Sequence, residues 1–289
     1  IDEKLKRKEN ISTWIFPEFA KDIFDRRISM SSYKKGEDAT NALDWVFGKD
    51  YSHNEKAKKY AGKSSEKLLS FEPGWPKSWV NFLIRLSKED PLSAKFGEAW
   101  SRQRGKENIV NNVPNESPYP WERDEKKYWR KERNEHALMQ LASRNKQPLI
   151  WCGVDDILAL SGGNILAFIS ICQHIWDVWL RDNRERNSQS NLSLPQITRA
   201  VQSVGILETS KEWYEKISNA PGGTDRQKFI RLIGSIFYQN LIDDKSMSYP
   251  GNNGFSLLIK QFEQDLKIKE FLSVSEDYGD LISAPHTSK

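Results

Sequence analysis

Apolar residues recur at intervals of three and four along most of this chain, which is the pattern of amphipathic α-helices. Short helices of this kind are predicted at 19–28, 79–86 and 94–102. Longer and more strongly apolar helices are predicted at 165–180 and 229–241. The pattern therefore predicts a mainly α protein built from many helices.

The most apolar of these helices begins directly after Gly162, Gly163 and Asn164. Its apolar side chains cover more than one face, so we expect it at the buried centre of an α-helical bundle. Two roles fit the turn before it. A helix N-terminus offers N–H groups and a positive dipole, which suits phosphate sensing. Alternatively, a glycine turn capped by Ser161 or Asn164 simply links two packed helices.

Two polar stretches predict domain boundaries. Residues 111–120 hold three prolines and three asparagines, and such a stretch cannot continue a helix. Residues 181–191 are charged and rich in asparagine and serine, which is typical of a linker. The sequence therefore predicts an N-terminal helical segment at 1–115, a helical domain with the glycine turn at 116–190, and a third domain at 191–289.

The end of the third domain predicts a small β-hairpin. Leu281, Ile282 and Ser283 are suited to a strand and run into a Pro-His-Thr-Ser-Lys turn. Several helices followed by a hairpin is the order of a winged-helix domain, with a recognition-like helix at 267–278 and the wing at 286–289. Acidic residues surround that helix, so contact with a protein is favoured there over contact with DNA phosphates.

Composition narrows the class of protein only slightly. Lys+Arg 44 against Asp+Glu 40 gives a net charge of +4, so any basic surface must be local. Cys152 and Cys172 lack Cys-x-x-Cys spacing, which argues against a zinc site or a disulfide framework and favours a reducing, cytoplasmic location. The longest apolar run is too short and polar for a bilayer. No motif supports a self-contained catalytic site.

The strongest local basic patch falls within residues 122–144. Basic and aromatic side chains alternate there, a combination suited to phosphate contact and base stacking. The competing interpretation is a solvated helix face above buried aromatic rings, which the interspersed acids favour. The candidate nucleic-acid-binding residues are Lys126, Lys127, Arg130, Lys131 and Arg133 on this helix, with His286 and Lys289 on the predicted wing.

Arg26 and Arg27 end the first predicted helix. Cationic residues at a helix C-terminus complement its dipole, which is the simpler explanation of the pair. The alternative is a positively charged finger directed toward a nucleotide. With Gly162, Gly163 and Asn164, the two arginines make up the predicted nucleotide-sensing set.

Several motifs together give the chain a family likeness. They lie at 160–164, 210–217, 248–251 with 253–257, and 277–280 leading to 286–289. In these motifs the chain resembles the C-terminal lid and winged-helix part of bacterial P-loop ATPases of the origin-recognition-complex type, within the broader AAA+ and STAND group. The likeness implies that 116–190 is a lid-like domain and that 191–289 is a winged-helix-like domain.

The resemblance also implies a nucleotide-driven switch. In such proteins the lid closes on ATP and Mg²⁺ bound by a preceding core, and the winged helix engages DNA or a partner protein, with oligomers possible. Members of the group often serve in prokaryotic anti-phage defence. In this chain Ile165 to Phe168 follow Asn164 where initiator-type ATPases place an arginine. The turn is therefore expected to position the lid rather than to touch a γ-phosphate.

The phosphate-loop motif G-x-x-x-x-G-K-[ST] does not occur in the 289 residues. The resemblance therefore implies a longer protein whose nucleotide-binding core precedes Ile1, and ATP and Mg²⁺ would be bound only through that core. The alternative is a stand-alone all-α scaffold that binds another protein through its tryptophan-rich helices and needs no nucleotide.

Overall fold

The computed structural model of the protein describes residues 15–34, 41–62, 65–104, 113–114, 116–183, 193–249, 254–258 and 263–281. Most of these residues are helical, which confirms the mainly α fold. No strand forms within these ranges, and the only β-type pairing in them is an isolated parallel bridge between Lys34 and Ser193. None of their helices is both long and apolar enough to cross a bilayer.

The helices predicted at 19–28, 79–86, 94–102, 165–180 and 229–241 are present, with ends that differ by several residues. In chain order, the α-helices of the described residues are α1 Phe16–Ser29, α2 Ala42–Phe47, α3 His53–Ala61, α4 Lys77–Glu89, α5 Pro91–Arg104, α6 Lys127–Arg144, α7 Val154–Ser161, α8 Ile165–Asp182, α9 Arg199–Ile217, α10 Gly223–Asp243 and α11 Leu266–Asp277. Short 3-10 turns occupy Ser65–Leu68 and Asp124–Lys126.

Short polar side chains set where several helices begin. At the start of α3, Ser52 and Glu55 form a capping box, in which each side chain bonds the backbone N–H of the other residue. Asn41 caps α2 through the backbone N–H of Asp44, and Asp265 caps α11 through two backbone N–H groups. These caps satisfy donors that the helix itself leaves unpaired.

Contacts divide the chain into two compact units, each made of two separated stretches. Unit 1 takes its residues from 1–51 and 150–214, and unit 2 takes its residues from 52–149 and 215–289. The three consecutive domains expected from composition stay a prediction beside this grouping by contacts. Segments that are far apart in sequence pack together within each unit. The amino-acid composition of a segment does not predict which distant segment it packs against.

Aromatic contacts organise the core of unit 1. Phe16 of α1 and Phe168 of α8 pack edge to face with ring centroids 6.3 Å apart. Phe24 of α1 packs on Phe47 of α2 with centroids 5.5 Å apart. These pairs lie among other buried apolar side chains from α1, α2, α7, α8 and α9. The start of α1 therefore lies beside the first turns of α8.

A buried glutamine ties three backbone segments of unit 1 together. The Nε2 group of Gln202 donates to the carbonyls of Phe47 at 2.9 Å and Ile197 at 2.7 Å, and its Oε1 accepts from the N–H of Gly153 at 2.7 Å. Gly153 has a φ of 85°, and an added Cβ would lie 2.2 Å from the backbone nitrogen of Asp50. Glycine at this position therefore lets the start of α7 approach the end of α2.

Close packing around α5 builds the core of unit 2. Residues 91–99 of this helix are all buried. Trp79 of α4 and Trp121 pack edge to face with ring centroids 6.4 Å apart. An added Cβ at Gly97 would lie 2.7 Å from the side chain of Leu83 and 2.8 Å from the ring of Trp121. A side chain at position 97 would therefore push these neighbours apart.

Polar side chains of α5 and α6 hold the C-terminal end of α10 and the segment that follows it. Each of them reaches a backbone carbonyl there, and Met247 of that segment is fully buried. The contacts are Gln103 Nε2 to Ser246 O at 2.6 Å, Arg133 Nε to Met247 O at 2.8 Å, His136 Nε2 to Leu241 O at 2.5 Å, and Gln140 Nε2 to Leu241 O at 2.7 Å and Asp244 O at 2.9 Å.

The other end of α10 is fixed by α11. The buried guanidinium of Arg226 pairs with Asp280 at 2.6 Å and lies 4.1 Å from the ring centroid of Tyr278. The middle of α10 is partly exposed to solvent. The side chains of Leu232 and Ile236 there are 60% and 48% exposed. The strongly apolar pattern of this helix correctly predicts the helix, but most of the helix is not buried.

The structure gives no support to the predicted hairpin. Leu281, its first residue, lies in a bend after α11, and within the described residues no strand is present near it. The rest of the hairpin, including His286 and Lys289 of the expected wing, lies outside the described residues. The helix expected at 267–278 is present as α11.

Candidate functional site

The predicted glycine turn joins α7 to α8 in unit 1. Gly162 ends α7 in the left-handed region at a φ of 58°, and Gly163 follows at a φ of 81°. Both conformations favour glycine. Asn164 then caps α8, because its Oδ1 accepts two backbone N–H groups of the first turn at 2.9 and 3.3 Å. Of the two residues that the sequence offers as caps, the structure assigns this role to Asn164 rather than Ser161.

Helix α8 buries one broad face and leaves another open. Phe168, Ile171 and Ile175 lie in the core of unit 1, whereas Leu166, two residues after the cap, is 67% exposed. The expectation of a buried central helix therefore holds for one face only. The glycine turn lies at the surface end of that helix, next to the exposed Leu166.

The two arginines of the predicted sensing set lie away from the turn. Arg26 pairs with Asp22 one turn earlier, with Nη2 and Oδ2 2.9 Å apart and both side chains exposed. Arg27 lines a cavity of about 250 Å³ with Trp176 and Asp177 of α8. Because Trp176 is twelve residues beyond Asn164, the cavity's far end lies roughly 18 Å along the helix from the turn. The structure does not bring the arginines and the glycine turn together.

The five basic candidates, four on α6 and Lys126 at the end of the 3-10 turn before it, do not share one surface. Lys127, Arg130 and Lys131, spaced at i, i+3 and i+4, all line one cleft of unit 2. Lys126 instead lies 5.6 Å from the ring centroid of Trp100. Arg133 is buried, stacks on Trp129 at 4.8 Å and bonds the segment after α10. Three of the five candidates therefore share a site, and Arg133 has a structural partner.

The cleft that these residues share is a cavity of about 550 Å³. Three stretches of unit 2 build it: the start of α3, the start of α5, and the first turns of α6. Its lining combines basic, neutral polar and apolar groups. The lining residues are Ser52, His53, Asn54, Asp90, Leu92, Ser93, Phe96, Glu122, Lys127, Arg130, Lys131 and Asn134.

Both acids in the lining already have hydrogen-bond donors. Asp90 Oδ1 accepts the backbone N–H of Ser93 at 2.9 Å. Glu122 accepts the hydroxyl of Ser117 at 2.8 Å and the backbone N–H of Tyr119 at 3.1 Å, and the hydroxyl of Ser93 also bonds it. Because these carboxylates are bonded locally, they are held in place rather than free to swing toward the lysines.

The basic groups of the cleft differ in how they are held. Arg130 is fixed, since its Nη1 donates to the carbonyl of Trp121 at 2.7 Å. Lys127 and Lys131 are exposed and form no ion pair with any residue that the structure describes. The cleft therefore presents one anchored guanidinium beside two ammonium groups that are open to a ligand.

A histidine on the rim of the cleft is paired with an acid of α6. His53 Nε2 lies 3.0 Å from Glu135 Oε1, with both side chains partly exposed. The hydrogen bond from His53 lowers the pKa of Glu135 below its usual range, against the opposing effect of burial. Glu135 is thus ionised at neutral pH and marks an acidic edge beside the basic lining.

A family model described as ORC-CDC6-like matches residues 1–289, the whole of the chain. The chain belongs to the ORC-CDC6-like family. This membership relates it to AAA+ ATPase-type proteins, as the glycine-turn motif and its companions indicate. No curated protein and no solved structure matches the chain.

ATP is the ligand that ORC-CDC6-like membership implies, and the described residues of one relaxed phosphate-loop pattern do not form such a loop. A relaxed phosphate-loop pattern with alanine in place of the first glycine runs from Ala57 to Gly62, Lys63 and Ser64. Such a loop must lead from a strand into a helix N-terminus. Here Ala57 lies within α3, and Gly62 ends that helix. Lys63 and Ser64 lie outside the described residues.

No metal site is evident either. Within the ranges that the structure describes, no group of three or more His, Cys, Asp or Glu side chains could hold an ion.

Sequence reasoning missed the neutral residues of the cleft. Ser52 and Asp90 are recognisable in the sequence as helix caps, Ser52 through its capping box with Glu55. Nothing in the sequence signals that the starts of α3, α5 and α6 converge, since they lie almost forty residues apart. The basic candidates were found because they cluster locally on one helix.

Proposed function

We propose that this chain is the lid and winged-helix portion of a larger bacterial P-loop ATPase of the AAA+/STAND type, and that it acts as a nucleotide-dependent switch. In this proposal residues 116–190 are lid-like and 191–289 are winged-helix-like. ATP and Mg²⁺ are bound by a domain outside this sequence, and the chain itself carries no catalytic site. Family membership and the glycine turn support the proposal.

The proposed role of the glycine turn is that of a hinge. Gly162 and Gly163 adopt conformations that other residues rarely adopt, and the side chain of Asn164 is already bonded to the first turn of α8. A turn of this kind fixes the direction of α8 more readily than it contacts a phosphate. Arg26 and Arg27 would then sense nucleotide separately, from the other end of α1.

We further propose that the switch engages DNA through the cleft of unit 2. The single observation that carries this part is the grouping of Lys127, Arg130 and Lys131 on one wall of a cavity. Cationic groups at this spacing attract phosphates and release counterions. Lys126 and Arg133 contribute indirectly by holding α6, and His286 and Lys289 remain candidates for a second contact on the proposed wing.

Salt dependence tests the DNA-binding part. Labelled single- and double-stranded DNA is titrated with the purified chain over a range of salt concentrations, and affinity is expected to fall as salt rises. Lys127→Gln/Lys131→Gln is expected to weaken binding and to reduce the slope of log K against log salt by roughly 2. The charge-matched control is Lys67→Gln/Lys77→Gln, since both lysines are exposed and neither lines the cleft. An affinity for DNA that does not change with salt concentration would contradict the proposal.

The cellular setting follows from the resemblance alone. We propose a cytoplasmic role in prokaryotic anti-phage defence, with a partner protein or an oligomer as further components of the switch. Deleting the gene in its host and challenging the cells with phage tests this role. Unchanged plaque numbers over a broad phage panel would count against it.

The alternative is a stand-alone protein-interaction scaffold, and one observation favours it. Leu232 and Ile236, one turn apart on α10, are exposed apolar residues in the middle of that helix. The tryptophans are less suitable, because none in the described residues is exposed. The residues encoded before Ile1 distinguish the two functions: a phosphate loop there supports the switch, and its absence supports the scaffold.

A further inference from the structure

We infer that the cleft of unit 2 is a site for a terminal phosphate on a nucleotide, either a 5′-phosphorylated strand end or a free nucleoside phosphate. This inference rests on the proposed function in one respect, since it names the ligand of the same basic cleft. It goes beyond that function because it states that the cleft prefers the terminal phosphate of a strand to the phosphodiesters within the strand.

The size of the cleft is the first argument. Its volume of about 550 Å³ lies within the roughly 300–1,000 Å³ that is usual for small-molecule pockets. A longer stretch of strand would extend beyond a volume of this size. The cleft therefore has room for one nucleotide.

The second argument is the concentration of positive charge. Lys127 and Lys131 lie one helical turn apart, on neighbouring positions of the helix surface, and Arg130 lies between them in sequence. Both ammonium groups can therefore converge on a single phosphate. A phosphate monoester carries a charge of roughly −1.5 to −2 at neutral pH, whereas a phosphodiester carries one negative charge, so this wall favours the terminal group.

The start of α6 strengthens the same wall. No side chain caps this helix, and its first turn contains no acidic residue. Asp124 and Glu125 lie in the 3-10 turn directly before it, and within α6 the positive end of the dipole favours an anion near Lys127. In contrast, α3 begins at the Ser52 capping box and contains Glu55 in its first turn.

Acidic groups limit how far the ligand extends. Glu135 is held at the rim of the cleft by His53, and Glu132 is largely exposed on the same helix. Further phosphates leaving the cleft would pass these carboxylates and be repelled. Glu122, inside the lining, is held by local hydrogen bonds. Leu92 and Phe96, which are buried, form an apolar floor.

The experiment compares ligands that differ only at the strand end. Fluorescence anisotropy measures binding of the full chain to a short 3′-labelled single strand with a 5′-phosphate, and to the same strand with a 5′-hydroxyl. The phosphorylated strand is expected to bind about tenfold more tightly, because a charge-assisted contact is gained. An unlabelled nucleoside 5′-monophosphate is expected to displace it.

Variants assign the preference to the cleft. Lys127→Gln/Lys131→Gln is expected to bind the two strands equally, whereas Lys67→Gln/Lys77→Gln retains the tenfold preference. Both mutated lysines of the cleft are exposed, so circular dichroism is expected to show an unchanged helical signal.

The outcomes separate this inference from the proposed function. Salt-dependent binding of both strands with equal affinity, without displacement by the monophosphate, would overturn the inference while leaving DNA binding intact. Binding of a labelled nucleoside monophosphate without binding of either strand would support the inference with a free nucleotide as ligand, and would contradict the DNA proposal. Failure of every probe to bind would overturn both.

Discussion

The ammonium group of Lys95 lies 2.8 Å from the carboxylate of Glu98, and neither side chain reaches solvent. Burial lowers the pKa of Lys95, and the charge of Glu98 opposes that change. Ser70 also donates to Glu98 at 2.8 Å, and the guanidinium of Arg102 lies 3.6 Å from it. Glu98 is therefore the centre of a buried polar cluster on α5, with Lys95 as its most buried cation.

Removing Glu98 is expected to be more damaging than removing the whole pair. Glu98→Leu leaves the buried ammonium of Lys95 uncompensated, which should reduce the free energy of unfolding by about 3–5 kcal/mol. Lys95→Met/Glu98→Leu should recover much of that loss, because no lysine charge then remains buried. Urea denaturation monitored by circular dichroism provides the measurement.

An exposed ion pair supplies the comparison. Asp22→Asn removes the partner of Arg26 at the surface of α1 and should change the free energy of unfolding by less than about 1 kcal/mol. If Glu98→Leu cost no more than Asp22→Asn, or if the double variant were no more stable than Glu98→Leu, the role assigned to the buried pair would be wrong.

Gln202 gives a second prediction about stability, in unit 1. Gln202→Leu removes three hydrogen bonds and leaves the backbone groups of Phe47, Gly153 and Ile197 buried without their partner. Each unsatisfied group costs about 1–3 kcal/mol, so thermal unfolding should shift to a clearly lower temperature. Gln202→Glu retains an acceptor for Gly153 but loses both donated bonds, and it should also be destabilising. A melting temperature unchanged in Gln202→Leu would contradict this account.

The sequence predicted the helices well because their signals are local. The apolar spacing of α1, α4 and α10 and the glycines after α7 are readable over one or two turns. The two units were not predictable in this way, since each joins segments about a hundred residues apart through contacts such as Gln202 with Phe47. Composition marks polar stretches but not which helices pack together.

The candidate site was predictable only in part, and the helical period explains why. Lys127 and Lys131 recur at i and i+4 and share a face, whereas Lys126 and Arg133 are seven residues apart on the opposite side. A helical-wheel projection of α6 therefore places Lys127 and Lys131 apart from Arg133. It does not show that Arg133 stacks on Trp129, nor that the start of α3 completes the cleft, because both facts depend on tertiary packing.

His136 predicts a pH dependence of stability. Its Nε2 lies 2.5 Å from the carbonyl of Leu241 and must donate to it, while its buried Nδ1 has no partner among the described residues. Burial lowers the pKa of His136 below 6.5. The unfolded chain therefore binds more protons than the folded one as pH falls through the unfolded value of about 6.5, and stability should fall there.

The variant His136→Gln isolates that effect. An amide can still donate to Leu241 but does not titrate, so the decline in unfolding free energy between about pH 7.5 and pH 5.5 should become smaller. Glu135 does not interfere, because its lowered pKa affects stability only as pH falls below the ordinary glutamate value of about 4.3. If the variant lost as much unfolding free energy over this pH range as the original protein, a group other than His136 would cause the decline.

The glycine turn allows a comparison of two neighbouring substitutions. Gly162 has a φ of 58°, where asparagine is tolerated, so Gly162→Asn should change the free energy of unfolding only slightly. Gly163 is buried with a φ of 81°, and a β-branched residue there is strained, so Gly163→Val should cost about 1–3 kcal/mol. Thermal unfolding of both variants measures the difference. If Gly163→Val folded with full stability but lost nucleotide-coupled function in the larger ATPase that we propose, the turn would be a sensor rather than a hinge.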